Sequence, residues 1–245
     1  MTPVIESPSA LDLTGAESLT MASTFKAQHS ANVYWSRFRL LHEGYRFADA
    51  PTPGLGENLD EAIPQELFNT AWAFAKLGIL VRPLRQAISA EALRPLLEFE
   101  MRGIANILWS FATLGCQDVP LIAAIAAASR SKHCECGPQE LGTTAWSFAT
   151  FSLLDEPLLN AISSASLAKI TDFACQNLTN MAWAFATLGK QDEPLLNAIA
   201  EAAIRKSSEL NSQNMSNTSW AFSTIQVEHR PLLASIASQS VARIA

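Results

Sequence analysis

Asn69-Thr70-Ala71-Trp72-Ala73-Phe74-Ala75-Lys76-Leu77-Gly78 is a stretch that returns at a fixed interval. Trp35, Trp72, Trp109, Trp146, Trp183 and Trp220 are spaced 37 residues apart, so all six tryptophans share one register. Phe74, Phe111, Phe148, Phe185 and Phe222 follow the last five by two places. Asn32, Asn69, Asn106, Asn180 and Asn217 precede their tryptophans by three, with Thr143 in the remaining copy. Eleven residues after each of the last five tryptophans stands Pro83, Pro120, Pro157, Pro194 or Pro231, each followed by Leu and then, five beyond the proline, by Ile. A period in the range of about 20–50 residues identifies a repeat architecture.

Each unit divides into two helices. The first is expected from Gln65 to Leu77 in the first full copy, with no internal proline and apolar residues at three and four. Gly78, Gly115 and Gly189 stand where such helices stop. The proline then opens a second helix, as over Pro194 to Lys206, because its missing N–H costs nothing in the first turn. Asp118, Asp155 with Glu156, and Asp192 with Glu193 suit the positive end of that helix. Helices this short are marginal alone and must be held by stacking. The expected fold class is all-α, a right-handed α-solenoid of stacked 37-residue helical hairpins.

The chain divides accordingly. Residues 1–24 read as a disordered leader, with a helix expected from Ala10 to Ala22. Glu6, Asp12, Glu17 and the absence of any base there argue against a transit peptide. Residues 25–63 read as a degenerate capping repeat and loop: Trp35 keeps the register, Arg37 and Arg39 replace the Phe and Thr of later copies, and Pro51, Pro53, Gly54 and Gly56 break the pattern. Residues 64–245 hold five repeats. The last stops at Ala245 without an obvious polar cap, so a fragment of a longer array is expected.

Composition narrows the function. The chain is 49% hydrophobic and 16% charged, which excludes a disordered protein. No apolar run reaches the 18 or so residues of a membrane span. Residues 64–245 carry 15 acids and 13 bases, so the array lacks the basic footprint of a typical nucleic-acid binder. Four cysteines suit a reducing compartment rather than a disulfide scaffold.

The first helix carries the candidate site. Its broad apolar arc leaves a polar arc with Gln65, Gln139, Gln176 and Gln213. Asn69, Asn106, Asn180 and Asn217 lie beside them, with the Ser or Ala after each Trp and Thr113, Thr150, Thr187 and Thr224. Amides can read base edges and aromatic rings can stack on bases, which makes this ladder a candidate groove for single-stranded RNA. The same residues also suit architecture, with Asn bridging backbones and Trp and Phe filling the core. Recognition is expected where repeats differ: at Glu66, Gly103, Glu140, Asn177 and Asn214, six before Trp, or at Phe68, Ala105, Gly142, Thr179 and Ser216, four before.

Other constellations carry less. His133-Cys134-Glu135-Cys136 lacks the ligand count of a zinc site and reads as an inter-repeat loop. Arg130, Lys132, Lys169, Lys190, Arg205 and Lys206 read as scattered solvated cations, with phosphate contact as the alternative. No phosphate loop, metalloprotease motif, cofactor motif or nucleophile–base pair is present, so no enzyme, cofactor or small-molecule substrate is expected.

The pattern Asn-x-x-Trp-Ala-Phe-Ala-Thr-Leu-Gly, clearest from Asn180 to Gly189, resembles the octotricopeptide and heptatricopeptide repeats. Those belong with the FAST-kinase-like and RAP-domain proteins, though no RAP domain is recognisable here. The resemblance spans residues 64–245 and implies a non-enzymatic α-solenoid. It would bind single-stranded RNA in a mitochondrion or plastid, in RNA processing, stability or translation. A protein-interaction scaffold similar to HEAT or armadillo arrays is the alternative that near-neutral charge suits.

Overall fold

The computed structural model describes residues 64–78, 86, 89–90 and 99–244. The leader, the capping repeat and most of the second helix of the first full unit lie outside the described residues. The described residues are helical, without strands, so the chain is all-α. Residues 1–95 and 96–245 form two compact units. The first contributes α1 (Pro64–Leu77), in which Ala71, Phe74 and Ala75 are buried.

In the second unit the helices alternate. First-type helices are α2 (Met101–Thr113), α4 (Pro138–Thr150), α6 (Cys175–Thr187) and α8 (Ser212–Thr224). Second-type helices are α3 (Val119–Lys132), α5 (Glu156–Ala168), α7 (Glu193–Arg205) and α9 (Arg230–Ile244). Each first-type helix packs on the next of its kind and on its own second helix, and second-type helices likewise pack on one another.

Local chemistry explains each boundary. Asp118, Asp155 and Asp192 are N-caps whose Oδ1 accepts the N–H of Leu121, Leu158 and Leu195 at 3.2, 2.9 and 3.1 Å. In the last unit Nδ1 of His229 takes that role, accepting the N–H of Leu232 at 3.2 Å. First-type helices end on a left-handed residue: Gly78, Gly115 and Gly189, but also Ser152 at φ 56° and Gln226 at φ 58°. The two non-glycine residues bear a cost of about 1–2 kcal/mol each to close the same turn.

The seam between first-type helices is made of small side chains. Ala112, Ala149 and Ala186, three past each Trp, are buried, as are Ala105, Gly142 and Thr179, four before it. A Cβ on Gly142 would sit 3.5 Å from Cα and O of Asn177, so the two backbones run nearly in contact. The hydroxyls of Thr179 and Thr218 meet across the next seam at 3.2 Å. The position four before Trp therefore faces the neighbouring helix in α2, α4 and α6. It is not a groove position there, and only Ser216 is exposed.

The second row of cations also proves to be built in. Nζ of Lys132 donates to the carbonyl of Phe99 at 2.9 Å. Lys169 donates to those of Cys136 and Cys134 at 2.6 and 2.9 Å, and Lys206 to those of Phe173 and Thr171 at 2.7 and 3.5 Å. Arg243 reaches the carbonyl of Ser208 at 3.2 Å. These four stand in one register at the ends of second-type helices and clamp the segment leading into the first helix of the same unit. Arg130 pairs with Asp155 at 2.7 Å, while the Arg205–Glu201 pair, at 3.9 Å, is exposed. Reading Lys132, Lys169, Lys206 and Arg130 as scattered solvated cations was therefore mistaken, because a half-buried ammonium among carbonyls needs no other partner. Lys206→Met is expected to destabilise the protein by about 1–3 kcal/mol in thermal denaturation. Arg205→Met should cost almost nothing, and equal losses would show the Lys206 clamp to be idle.

Candidate nucleic-acid interface

At about 100° per residue, the Gln seven before Trp, the Thr four after it and the Asn three before it lie roughly 20°, 40° and 60° around the helix from the indole. The four form one stripe. Gln139, Gln176 and Gln213 are exposed in the first turn, and Thr113, Thr150, Thr187 and Thr224 in the last. Asn69, Asn106, Asn180 and Asn217 are half-buried between them, as is Thr143. In α1, Lys76 takes the Thr register, and its Nζ stands 5.7 Å from the Trp72 ring centroid. Gln65 and Glu66 belong to α1, but their side chains lie outside the described residues.

The tryptophans are not core. Trp109, Trp146 and Trp183 are half-buried, while Trp72 and Trp220 are 38% and 46% exposed. The five phenylalanines two places on are buried as expected. The indoles instead line up along the stripe. Trp146 and Trp183 have centroids 6.3 Å apart with planes at 32°, and Trp183 and Trp220 are 6.4 Å apart at 31°. The close alanine and glycine seam produces this spacing, which lies within the range of direct aromatic contact.

The half-buried amides are the second component. Among the described residues, the side chains of Asn106, Asn180 and Asn217 make no hydrogen bond; the carbonyl of Asn106 accepts from Ser110 Oγ at 2.6 Å, but its amide takes no part. The bridging role that would make them architecture is thus unfilled. The residue after Trp leaves the stripe altogether: Ser110 and Ser147 are buried and bond back to the carbonyls of Asn106 and Thr143.

Six before Trp the side chains are occupied. Glu140, Asn177 and Asn214 accept the backbone N–H of Gly137, Ala174 and Asn211 at 3.1, 3.1 and 3.3 Å, closing the start of α4, α6 and α8. In these three copies the residue varies within what a capping box accepts, whereas Gly103 at the same place in α2 has no side chain to cap with. Asn214 is itself buried, and Glu140 also lies 3.7 Å from Arg102.

A family model for the RNA-editing substrate-binding complex 6 protein matches residues 60–242. The chain belongs to that family. No curated protein matches it. An RNA-associated helical family is therefore shown, whereas the match is not to octotricopeptide or heptatricopeptide repeats.

In this family member, His133-Cys134-Glu135-Cys136 is the loop that Lys169 grips. Cys136 is buried, its Sγ directed to the carbonyl of Lys132 at 3.7 Å, and burial pushes its pKa up to about 11. Cys134 is exposed, 3.4 Å from Nε2 of His133. Burial likewise raises the pKa of Cys175, whose Sγ points to the carbonyl of Lys206 at 3.8 Å. No described helix is long and apolar enough to cross a membrane. At pH 8, iodoacetamide should modify Cys134 well before Cys136 in peptide mass spectrometry. Because the folded state holds Cys136 protonated, its contribution to stability is complete below pH 9 and lost as pH rises through about 11. Equal labelling of the two thiols at pH 8 would contradict the buried placement.

Proposed function

We propose that α2 to α9 of the second unit form a right-handed α-solenoid of 37-residue hairpins, and that it is a non-enzymatic module binding single-stranded RNA along the Trp–Gln–Thr–Asn stripe. Membership of a family named for an RNA-editing substrate-binding complex supports an RNA partner and protein partners. It favours a mitochondrial setting, RNA editing being the processing step concerned, and lends nothing to the plastid alternative.

The observation that carries the reading is the set of unpartnered half-buried amides of Asn106, Asn180 and Asn217 on the stripe that holds the Trp146–Trp183–Trp220 indole ladder. An amide at the foot of a polar stripe keeps both donor and acceptor capacity available for a base edge. The capping role of Glu140, Asn177 and Asn214 narrows the proposed contacts toward Asn106, Asn180 and Asn217, flanked by exposed Gln139, Gln176, Gln213 and the threonines. Of the candidate cations, Lys132, Lys169 and Lys206 are already engaged with carbonyls and Arg130 with Asp155. Binding should therefore rest on few phosphate contacts and show a shallow salt slope.

One observation favours the scaffold alternative. Val119, Leu153 and Leu154 are exposed apolar residues in or beside the connections between first and second helices, and they suit a protein partner. The two roles use different surfaces.

Combined Asn106→Ala, Asn180→Ala and Asn217→Ala should weaken single-stranded RNA binding about tenfold or more in fluorescence anisotropy, at about 1 kcal/mol or more per lost base contact. The melting temperature should stay nearly unchanged. Unfolding of the variant would make the asparagines architectural, and unaltered affinity would remove them from the interface.

A further inference from the structure

In the second unit the stripe carries a single cation. Seven places before Trp every other copy has glutamine, but α2 has Arg102. It is the only Lys or Arg in α2, α4, α6 and α8, and Glu140 is their only acid. The Arg102 side chain is 74% exposed. That exposure belongs to the register, because Gln139 and Gln176, whose helices are packed by first-type helices on both sides, are exposed as well. Along α2, Arg102, Asn106 and Trp109 follow one another on one face, with rises of about 6 and 4.5 Å between them. The column sets a cation for a phosphate beside an amide and a ring for a base. Among α2, α4, α6 and α8 only α2 has all three.

Glu140 faces Arg102 from the next helix. Its Oε2 accepts the N–H of Gly137 at 3.1 Å, and its Oε1 lies 3.7 Å from Nε of Arg102, too far for a hydrogen bond. Arg102 makes no hydrogen bond among the described residues. An exposed ion pair of this kind contributes little, and the guanidinium keeps its fork of N–H donors, which matches the oxygens of a phosphate. The neighbouring cations offer no substitute. Lys132, Lys169 and Lys206 hold carbonyls, Arg130 holds Asp155, and Lys190 lies past the last turn of α6, whereas Arg102 stands in a first turn.

We infer that Arg102 binds one backbone phosphate of the single-stranded RNA, with Asn106 and Trp109 beside the base of that nucleotide, and that Glu140 weakens the contact. The inference rests on the RNA-binding reading above. Glu140 is fixed by its capping bond and cannot swing away, so its charge stays close to any phosphate that Arg102 holds.

The test measures anisotropy of the full chain with a single-stranded RNA octanucleotide of mixed sequence, titrated with salt. A second probe has the same bases on uncharged methylphosphonate linkages. Arg102→Gln installs the residue of the other copies, so the fold is kept. It should weaken RNA binding about fivefold at low salt and flatten the slope of log K against log salt by about 0.7, while affinity for the uncharged octamer stays unchanged. Arg102→Lys should retain most of the slope. Glu140→Gln keeps an oxygen for the Gly137 N–H, and should tighten RNA binding about threefold, an effect that Arg102→Gln abolishes. An unaltered slope in Arg102→Gln, or an equal loss for charged and uncharged octamers, would overturn the phosphate contact and leave the RNA reading standing. Unchanged affinity in Glu140→Gln would overturn the role given to the carboxylate. Absence of RNA binding at low salt would overturn both readings.

Discussion

The closest contact between neighbouring first helices sets everything above it. Small residues let α4 approach α6 until a Cβ on Gly142 would stand 3.5 Å from the backbone of Asn177. Ala112, Ala149 and Ala186, equally small, are buried farther along the seam. That approach brings successive indoles into contact, and it aligns the amides and hydroxyls beside them into one stripe. A larger residue in the seam would separate the rings and break the stripe together. The geometry of the candidate interface is thus a consequence of packing several ångströms beneath it.

Around this seam the remaining ties are polar and local. The N-cap aspartates start the second helices, the left-handed residues end the first ones, and Lys132, Lys169 and Lys206 clamp the connecting segments through backbone carbonyls. Gln117 and Gln191 add links to the carbonyls of Phe151 and Ile225 in the following unit, each at 3.4 Å. These groups bond to main chain, so they tolerate variation in the side chains of their partners. Cys136 standing where Phe99 and Phe173 stand in other copies is an example: its carbonyl serves the lysine equally well.

Much of this was legible in the sequence because its cause is local. Helix type, the proline and aspartate that begin second helices, and the glycine stops follow from backbone chemistry. Ser152 and Gln226 escaped, because only the register marks them as left-handed turns. The lysine clamp was also missed, although Lys132, Lys169, Lys206 and Arg243 share the 37-residue spacing; the signal was position rather than charge. Trp was misread as core because bulk and apolarity do not reveal which rim of a helix a residue occupies. Six before Trp, the change from Glu140 to Asn177 and Asn214 serves capping, which imitates a recognition code in a single sequence. The Asn positions were correctly placed on the polar arc. That their amides lack a partner depends on tertiary spacing, which no single unit encodes.

The most direct test of the account is photocrosslinking of the full chain to a single-stranded RNA carrying 4-thiouridine, with the modified peptides identified by mass spectrometry. The account predicts crosslinks on the first-type helices, concentrated on Trp, Asn and Gln of the stripe in α2, α4, α6 and α8. Crosslinks confined to α3, α5, α7 and α9, or to the connections around Val119 and Leu154, would contradict it and move the interface to another surface.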